Sequence, residues 1–366
     1  MGINSSPWLR RGQGWFVRNG VGKNREMKVA KYYGKSDIRL EEIPVPDIGP
    51  GELLVRIKAS GICGSDVMHW YRAGRGPLVL GHEIAGEIAA AGEAVGTFRT
   101  GDRITAAHHV PCNTCHYCLK GHHTVCETLR RTNFFPGGFS EYVRLPEINV
   151  DRGVFLLPEE MSYEEATFIE PLACVYRGQR TAGMKMGLSV LVIGSGISGL
   201  LHIQLAKALG ASLVAATDVS RYRLEAAKRL GADETINAAE DVPALFRSVN
   251  KGRAADIVVL TAGTEKAIEQ AFRSTDRGGT VLFFAPAQEG VSIPLPVNEL
   301  FWRNEITLTS SYAANYSEHV TAMELIRQKR VNVLDMITHR LPLSETGHGF
   351  GLVEAARESL KVIIEP

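Results

Sequence analysis

The chain has 366 residues, 45% of them hydrophobic and 22% charged, a balance that fits a soluble globular protein of about two domains at ~150 residues each. Its 41 Lys and Arg against 40 Asp and Glu leave a net charge of +1, which argues against a nucleic-acid groove or an acidic tail. No window reaches the ~18 consecutive apolar residues of a membrane helix and the N-terminus lacks the apolar core of a secretory signal, so a cytoplasmic location is expected, with no membrane and no nucleic-acid partner.

Residues 1–26 carry Arg10, Arg11, Arg18, Lys23 and Arg25 against one acid, Glu26, a local charge of +4. With scattered glycines and no period, they read as a disordered leader rather than a binding arm. From Met27 the pattern changes to short β-rich runs broken by Gly and Pro, at 28–32, 52–59, 84–89, 103–106 and 141–144, which predicts a small barrel or sandwich. Beyond about residue 171 the rhythm is strand then helix: 190–193 before 197–209, 213–217 before 221–230, 256–260 before 266–273, then runs at 280–284 and 306–309. Such alternation predicts βαβ units and a parallel sheet. A helix from 317 to 328 then leads to strands at 337–341 and 360–364. These resemble the first region, so the C-terminus is expected to complete the first lobe. The plan is thus a β-rich domain over 27–170, a dinucleotide-type domain over 171–315 and a return over 316–366.

The run from Gly194 to Gly199 is a G-x-G-x-x-G directly after an apolar strand and at the start of a helix. The first glycine makes the tight turn, the second lets backbone N–H groups approach a pyrophosphate, and the third allows close helix-on-strand packing. The next strand ends in Asp218, whose carboxylate can accept hydrogen bonds from both ribose hydroxyls. A 2′-phosphate forced against that carboxylate would be repelled, so NAD is preferred over NADP. Arg223 could meet a phosphate or stack over the adenine. The candidate cofactor contacts are Gly194, Gly196, Ser198, Gly199, Asp218 and Arg223; an S-adenosylmethionine-binding sheet is the rival reading.

Cys112, Cys115, Cys118 and Cys126 form a C-x2-C-x2-C-x7-C array. Four thiolates this close can surround one tetrahedral Zn²⁺ and close it to water, a structural site in a lobe spanning about 108–130. Disulfides are the alternative, disfavoured in a reducing compartment. His108, His109, His116, His122 and His123 crowd the same loop and mostly read as solvated, since the array needs none of them. A second set is scattered: Cys63 in Gly61–Asp66, His82 and Glu83 in Gly81–Gly86, and Glu170 before Pro171. One thiolate, one imidazole and a carboxylate would leave an open position on Zn²⁺, the catalytic arrangement.

Together these motifs resemble the zinc-containing medium-chain dehydrogenase/reductase family, and most closely its sorbitol and threonine dehydrogenase branch, from about Met27 to Pro366. The resemblance implies a GroES-like β-barrel catalytic domain beside an α/β Rossmann domain, with the active site between them and two zinc ions per chain. It implies that Cys63 and His82 ligate the catalytic zinc together with Glu83 or Glu170. The implied reaction is hydride transfer between a secondary alcohol of polyol, sugar or cyclitol type and NAD, with Ser65 accepting the alcohol proton. Asp66 is read as structural support and Cys174 as a packing residue. Position 68, where relatives carry a relaying His, is Met, and His69 would be turned by roughly 100° from that direction. Ser311 stands where polyol enzymes carry an Arg, beside a retained Tyr312. A threonine-type hydroxy-amino-acid substrate is the runner-up, and a metal-stabilised binding protein without chemistry is the reading from another class. Family members are commonly dimers or tetramers, so a homo-oligomer is expected.

Overall fold

The computed structural model describes residues 25–35 and 37–366. All but the last two residues of the expected leader lie outside these.

The β-rich part is built on seven strands in one sheet. Its central strand, β3 (Leu53–Gly61), sends Leu53, Val55 and Ile57 into the core while Arg56 points out. It runs antiparallel to β5 (Glu83–Ala91), to β7 (Tyr142–Leu145) and to the C-terminal β16 (Lys361–Glu365). The path is β15-β16-β3-β5-β6-β8, where β6 is Arg103–Ala106, β8 is Val154–Leu156 and β15 is Ile337–Pro342. Residues 337–365 thus return to the sheet begun before residue 61. A smaller antiparallel sheet, β2-β1-β4, flanks it, from β1 (Glu26–Gly34), β2 (Asp37–Pro44) and β4 (Leu78–Val79). Gly86 lets β5 approach β3 closely: a Cβ there would lie 2.2 Å from the carbonyl oxygen of Arg56.

The second sheet is parallel, in the order β11-β10-β9-β12-β13-β14. Its strands are β9 (Ser189–Ile193), β10 (Leu213–Asp218), β11 (Glu234–Asn237), β12 (Ala255–Leu260), β13 (Thr275–Phe283) and β14 (Thr307–Ser310). Every residue of β9 is buried, as expected of a strand covered by helices on both faces. The strand order reverses at β9, and ligands of such sheets bind at the carboxyl end of that switch. This is the Rossmann architecture, and the β-rich part completes the expected two-domain α/β plan.

Several elements escaped prediction for identifiable reasons. Strand β2 alternates without a buried face. Strand β13 starts five residues before the predicted 280 because Gly278, at φ +73°, bends the chain without ending the strand. Helix Ile169–Thr181 carries Pro171 in its first turn, which needs no intrahelical N–H donor there. Helix Thr346–Ala355 contains three glycines, and Gly349 lies so close to Ile62 that a Cβ would come within 2.8 Å of its Cδ1.

Helix Tyr316–Arg327 packs along helix Ile169–Thr181. Between them the fully buried Glu318 accepts from Arg177 at 3.1 Å and from Arg180 at 2.6 Å. Glu318→Ala would strand the nearly enclosed Arg177 and should cost about 3 kcal/mol or more. Urea unfolding of the variant, compared with the parent chain, measures it.

Candidate metal centres and dinucleotide cleft

The antiparallel register of the first sheet pairs Gly61 with Glu83. Cys63, two residues beyond the end of β3, and His82, one before β5, are thereby delivered to the same end of the sheet. Ligand atoms of Cys63, His82 and Glu83 all lie within 4.8 Å of one another. Glu83 is buried and ion-paired with Lys361 of β16, itself fully buried, and the same ammonium donates to the Ile62 carbonyl at 3.4 Å. Gly61 leaves room for this pair, since a Cβ there would fall 2.3 Å from Glu83 Oε2 and 2.6 Å from Lys361 Cε.

Glu170 projects from the first turn of helix Ile169–Thr181 and stands outside that threesome. Burial raises its carboxyl above the usual range, and it accepts from the Cys174 thiol at 3.4 Å. Cys174 therefore holds Glu170 rather than merely packing.

Asp66 is completely enclosed and organises the two leading residues. Its Oδ2 accepts the Cys63 N–H at 3.1 Å, while its Oδ1 lies 3.5 Å from His82 Nδ1 and 3.3 Å from an Arg72 nitrogen. Burial opposes charge on His82, yet the Asp66 carboxylate and the Cys63 sulfur together raise it well above the usual imidazole value. The contact also orients the ring, leaving its other nitrogen available for a metal. Ser65 Oγ donates to Cys63 Sγ at 3.4 Å. His69 turns away and bonds Glu354 through Nε2 at 2.9 Å.

Two histidines read as solvated are not. His108 packs on His82 with ring centroids 4.6 Å apart, and His109 on His108 at 3.9 Å. Burial holds His108 well below the usual imidazole value and takes His109 down to about 4. Strand β6 ends at Ala106 beside β5, so the next residues cross the same sheet end as His82. His116 and His122 are exposed, as expected of loop residues.

In the cysteine lobe the Sγ atoms of Cys115 and Cys118 are 3.6 Å apart, those of Cys126 and Cys112 3.6 Å, and those of Cys112 and Cys118 4.0 Å. All six cysteines are free. A tetrahedral zinc with arms of ~2.3 Å requires sulfur–sulfur edges of about 3.8 Å, so the array fits the ion without rearrangement. The backbone N–H of Thr114 brings the Cys112 thiol down to about 5, while burial pushes Cys118 up to about 12. The cation would hold all four as thiolates.

At the dinucleotide cleft, Gly194 has φ +97° and a Cβ on Gly199 would lie 2.0 Å from the Gly194 carbonyl oxygen. Helix Ile197–Ala208, which includes Ser198, begins with Gly196 at its cap and no side chain covering the first N–H groups, which leaves them for a pyrophosphate. Asp218 closes β10, its Oδ2 accepting the Ser195 N–H at 2.9 Å and its Oδ1 the Ser220 N–H at 2.8 Å. Arg223 lies 4.0 Å from Asp218, and its buried Nε has no hydrogen-bond partner among the described residues.

Sequence reasoning missed Lys361. Its one signal was a lysine heading an otherwise apolar C-terminal strand. The sulfur geometry offers a direct test of the lobe: Cys118→Ser should lower zinc, by metal analysis, from two ions per chain to one. It should also drop the thermal midpoint by at least about 5 °C.

Two family models match the chain: "Alcohol dehydrogenase GroES-like domain" over residues 49–158 and "Zinc-binding dehydrogenase" over residues 198–328. Sorbitol dehydrogenase of Bacillus subtilis (strain 168) is 33% identical over 356 residues, covering 93% of this chain and 98% of that protein. Among solved structures, a Sinorhizobium meliloti 1021 protein with NADP bound has a TM-score of 0.84 at 29% identity, covering 94% of this chain and 100% of that one. The 2R,3R-butanediol dehydrogenase of Bacillus subtilis has a TM-score of 0.82 at 27% identity, covering 93% and 99%. With two clusters able to hold a metal ion and the glycine loop in these places, the chain belongs to the zinc-dependent medium-chain dehydrogenase family, in its sorbitol dehydrogenase-like branch.

Proposed function

We propose that this NAD(P)-dependent zinc dehydrogenase transfers a hydride between NAD and a secondary alcohol of polyol, sugar or cyclitol type, with Cys63, His82 and Glu83 as protein ligands of the catalytic metal. The observation that carries this reading is the convergence of those three ligand atoms within 4.8 Å. Glu83 is favoured over Glu170 as the direct ligand because its carboxylate lies within 4.8 Å of the Cys63 and His82 ligand atoms, a group that Glu170 does not join. Glu170 then faces the substrate side of the site, next to His108 and His109.

When bound, zinc supplies Lewis acidity to the substrate oxygen and the dinucleotide supplies the two-electron acceptor. Asp66 holds the Cys63 backbone and the His82 ring in their ligating orientation. Ser65 is partly open to solvent and stands beside Cys63, so its hydroxyl takes the alcohol proton and passes it outward. With Met68 and a diverted His69, no imidazole follows Ser65 along this turn. The Gly194 loop grips the pyrophosphate, and Asp218 receives the ribose hydroxyls on the lone pairs its two backbone bonds leave free. That carboxylate supports NAD over NADP; Arg223, beside it, would temper the discrimination.

A cytoplasmic location accords with six unpaired cysteines, which a reducing compartment preserves. We assign self-association to the outer edge of the parallel sheet, where β14 has one open side and Leu295, Val297 and Trp302 expose apolar surface.

Cys63→Ser should lower alcohol oxidation by several orders of magnitude and cost one zinc per chain while NADH binding, by fluorescence titration, stays unchanged; full activity in the variant would refute the assignment. Glu83→Gln should likewise lose that zinc, whereas Glu170→Gln should keep it. Asp218→Gly should cut the NAD to NADP preference in kcat/KM by roughly ten-fold or more. An unchanged ratio would count against the cofactor reading.

A further inference from the structure

We propose that Thr261, at the turn after β12, is a positioning residue for the dinucleotide: its hydroxyl and the Asp218 carboxylate hold one peptide unit of the glycine loop from opposite ends. The assignment rests on the dinucleotide reading above and adds to it a residue outside the glycine motif and its paired acid.

The peptide between Gly194 and Ser195 makes the turn out of β9, with Gly194 at φ +97°, where a side chain would be strained. At one end of this unit the Ser195 N–H donates to Asp218 Oδ2 at 2.9 Å, from the end of β10. At the other end the Gly194 carbonyl accepts from Thr261 Oγ1 at 2.8 Å, from just beyond β12. The same hydroxyl lies 3.0 Å from the Ile193 carbonyl, which already accepts the Thr261 N–H at 2.9 Å. A threonine hydroxyl has a single proton to donate, and the Gly194 carbonyl is the nearer acceptor. The oxygen also fills the gap between two glycines of the motif: a Cβ on Gly194 would fall 2.7 Å from it, and a Cβ on Gly199 3.3 Å.

Thr261 is itself anchored on both sides. The Leu260 carbonyl accepts the N–H groups of Phe284 and Ala285, each at 3.1 Å. Gly263 lies so close to the next loop that a Cβ there would come within 2.4 Å of the Pro286 carbonyl oxygen. The turn therefore delivers the hydroxyl to a fixed place, as a supporting contact requires. Glycine by itself leaves rotation of the loop open. A peptide unit bound at both ends cannot turn over without breaking both hydrogen bonds, and a reversed unit would press the Gly194 carbonyl oxygen against the Asp218 carboxylate. Thr261 thus selects the orientation in which the chain enters helix Ile197–Ala208 with its first N–H groups uncovered for a pyrophosphate.

The test separates the phosphate-binding loop from the rest of the cleft. ADP-ribose carries the pyrophosphate, whereas adenosine has no phosphate and keeps the ribose hydroxyls for Asp218. Thr261→Val retains the branched shape and removes the hydroxyl. In calorimetric titrations it should raise the Kd of ADP-ribose by roughly ten-fold, the effect of one hydrogen bond at the loop. The Kd of adenosine should stay within about two-fold of the parent chain's. In steady-state assays KM for NAD should rise with kcat unchanged. Thr261→Ser, which keeps the hydroxyl, should bind ADP-ribose as the parent does. Unchanged ADP-ribose binding by the Val variant, an equal loss on adenosine, or a loss that Ser does not recover would each overturn the role of Thr261 while leaving the dehydrogenase reading intact. A parent chain that binds neither NADH nor ADP-ribose would overturn the dinucleotide reading and this role with it.

Discussion

A buried ion pair between the two ends of the catalytic domain underlies the rest of this structure. Lys361 and Glu83 are both essentially inaccessible to water. Two charges in such a place are costly to desolvate and hold only when each is fully matched. Here the ammonium is shared between the Glu83 carboxylate and the Ile62 carbonyl and lies 5.4 Å from the centre of the Phe168 ring. Strand β16 can dock against β3 only with this lysine opposite this glutamate, in the space that Gly61 leaves vacant. The pair thus ties the C-terminal return to the strand ends that carry Cys63 and His82.

The polar accounting of the cleft follows from that docking. Asp66 is matched by Arg72, by His82 and by a backbone N–H, and burial is outweighed, so its carboxyl stays below the usual range. Glu170 meets only a thiol and is raised. One carboxylate is therefore built to hold an imidazole in place, and the other remains available to whatever enters. The same division applies to the histidines. His82 is held by a carboxylate, whereas His108 and His319 are kept neutral by burial and retain nitrogens that the protein does not satisfy.

The domain connection is also electrostatic. Glu318, buried between Arg177 and Arg180, fixes the helix carrying His319 against the helix carrying Glu170. Glu170 and His319, far apart in the chain, thereby line the same narrow space. Near the first of these helices, Arg340 pairs with Glu164, and Lys329 with Glu165. The C-terminal return is thus clasped along both the sheet and the helices.

The features that could be read from the chain are those whose chemistry is local. A glycine loop between a buried strand and a helix, four cysteines within fifteen residues, and an acid at the end of the next strand are each fixed by spacing of a few residues and by backbone geometry that admits few alternatives. Elements lacking an apolar period, such as β2, or rich in glycine, such as helix Thr346–Ala355, carried too little local signal. What only the tertiary structure decided is which distant groups meet: Lys361 on Glu83, Asp66 on His82, and His108 with His319 at one cavity. Sheet register and helix docking create those neighbours across up to 278 residues, and a slip of one residue in β3 against β5 would take Glu83 from opposite Gly61 and turn its side chain to the other face. Short-range patterns carry little of that choice, because it depends on the summed packing of the whole core.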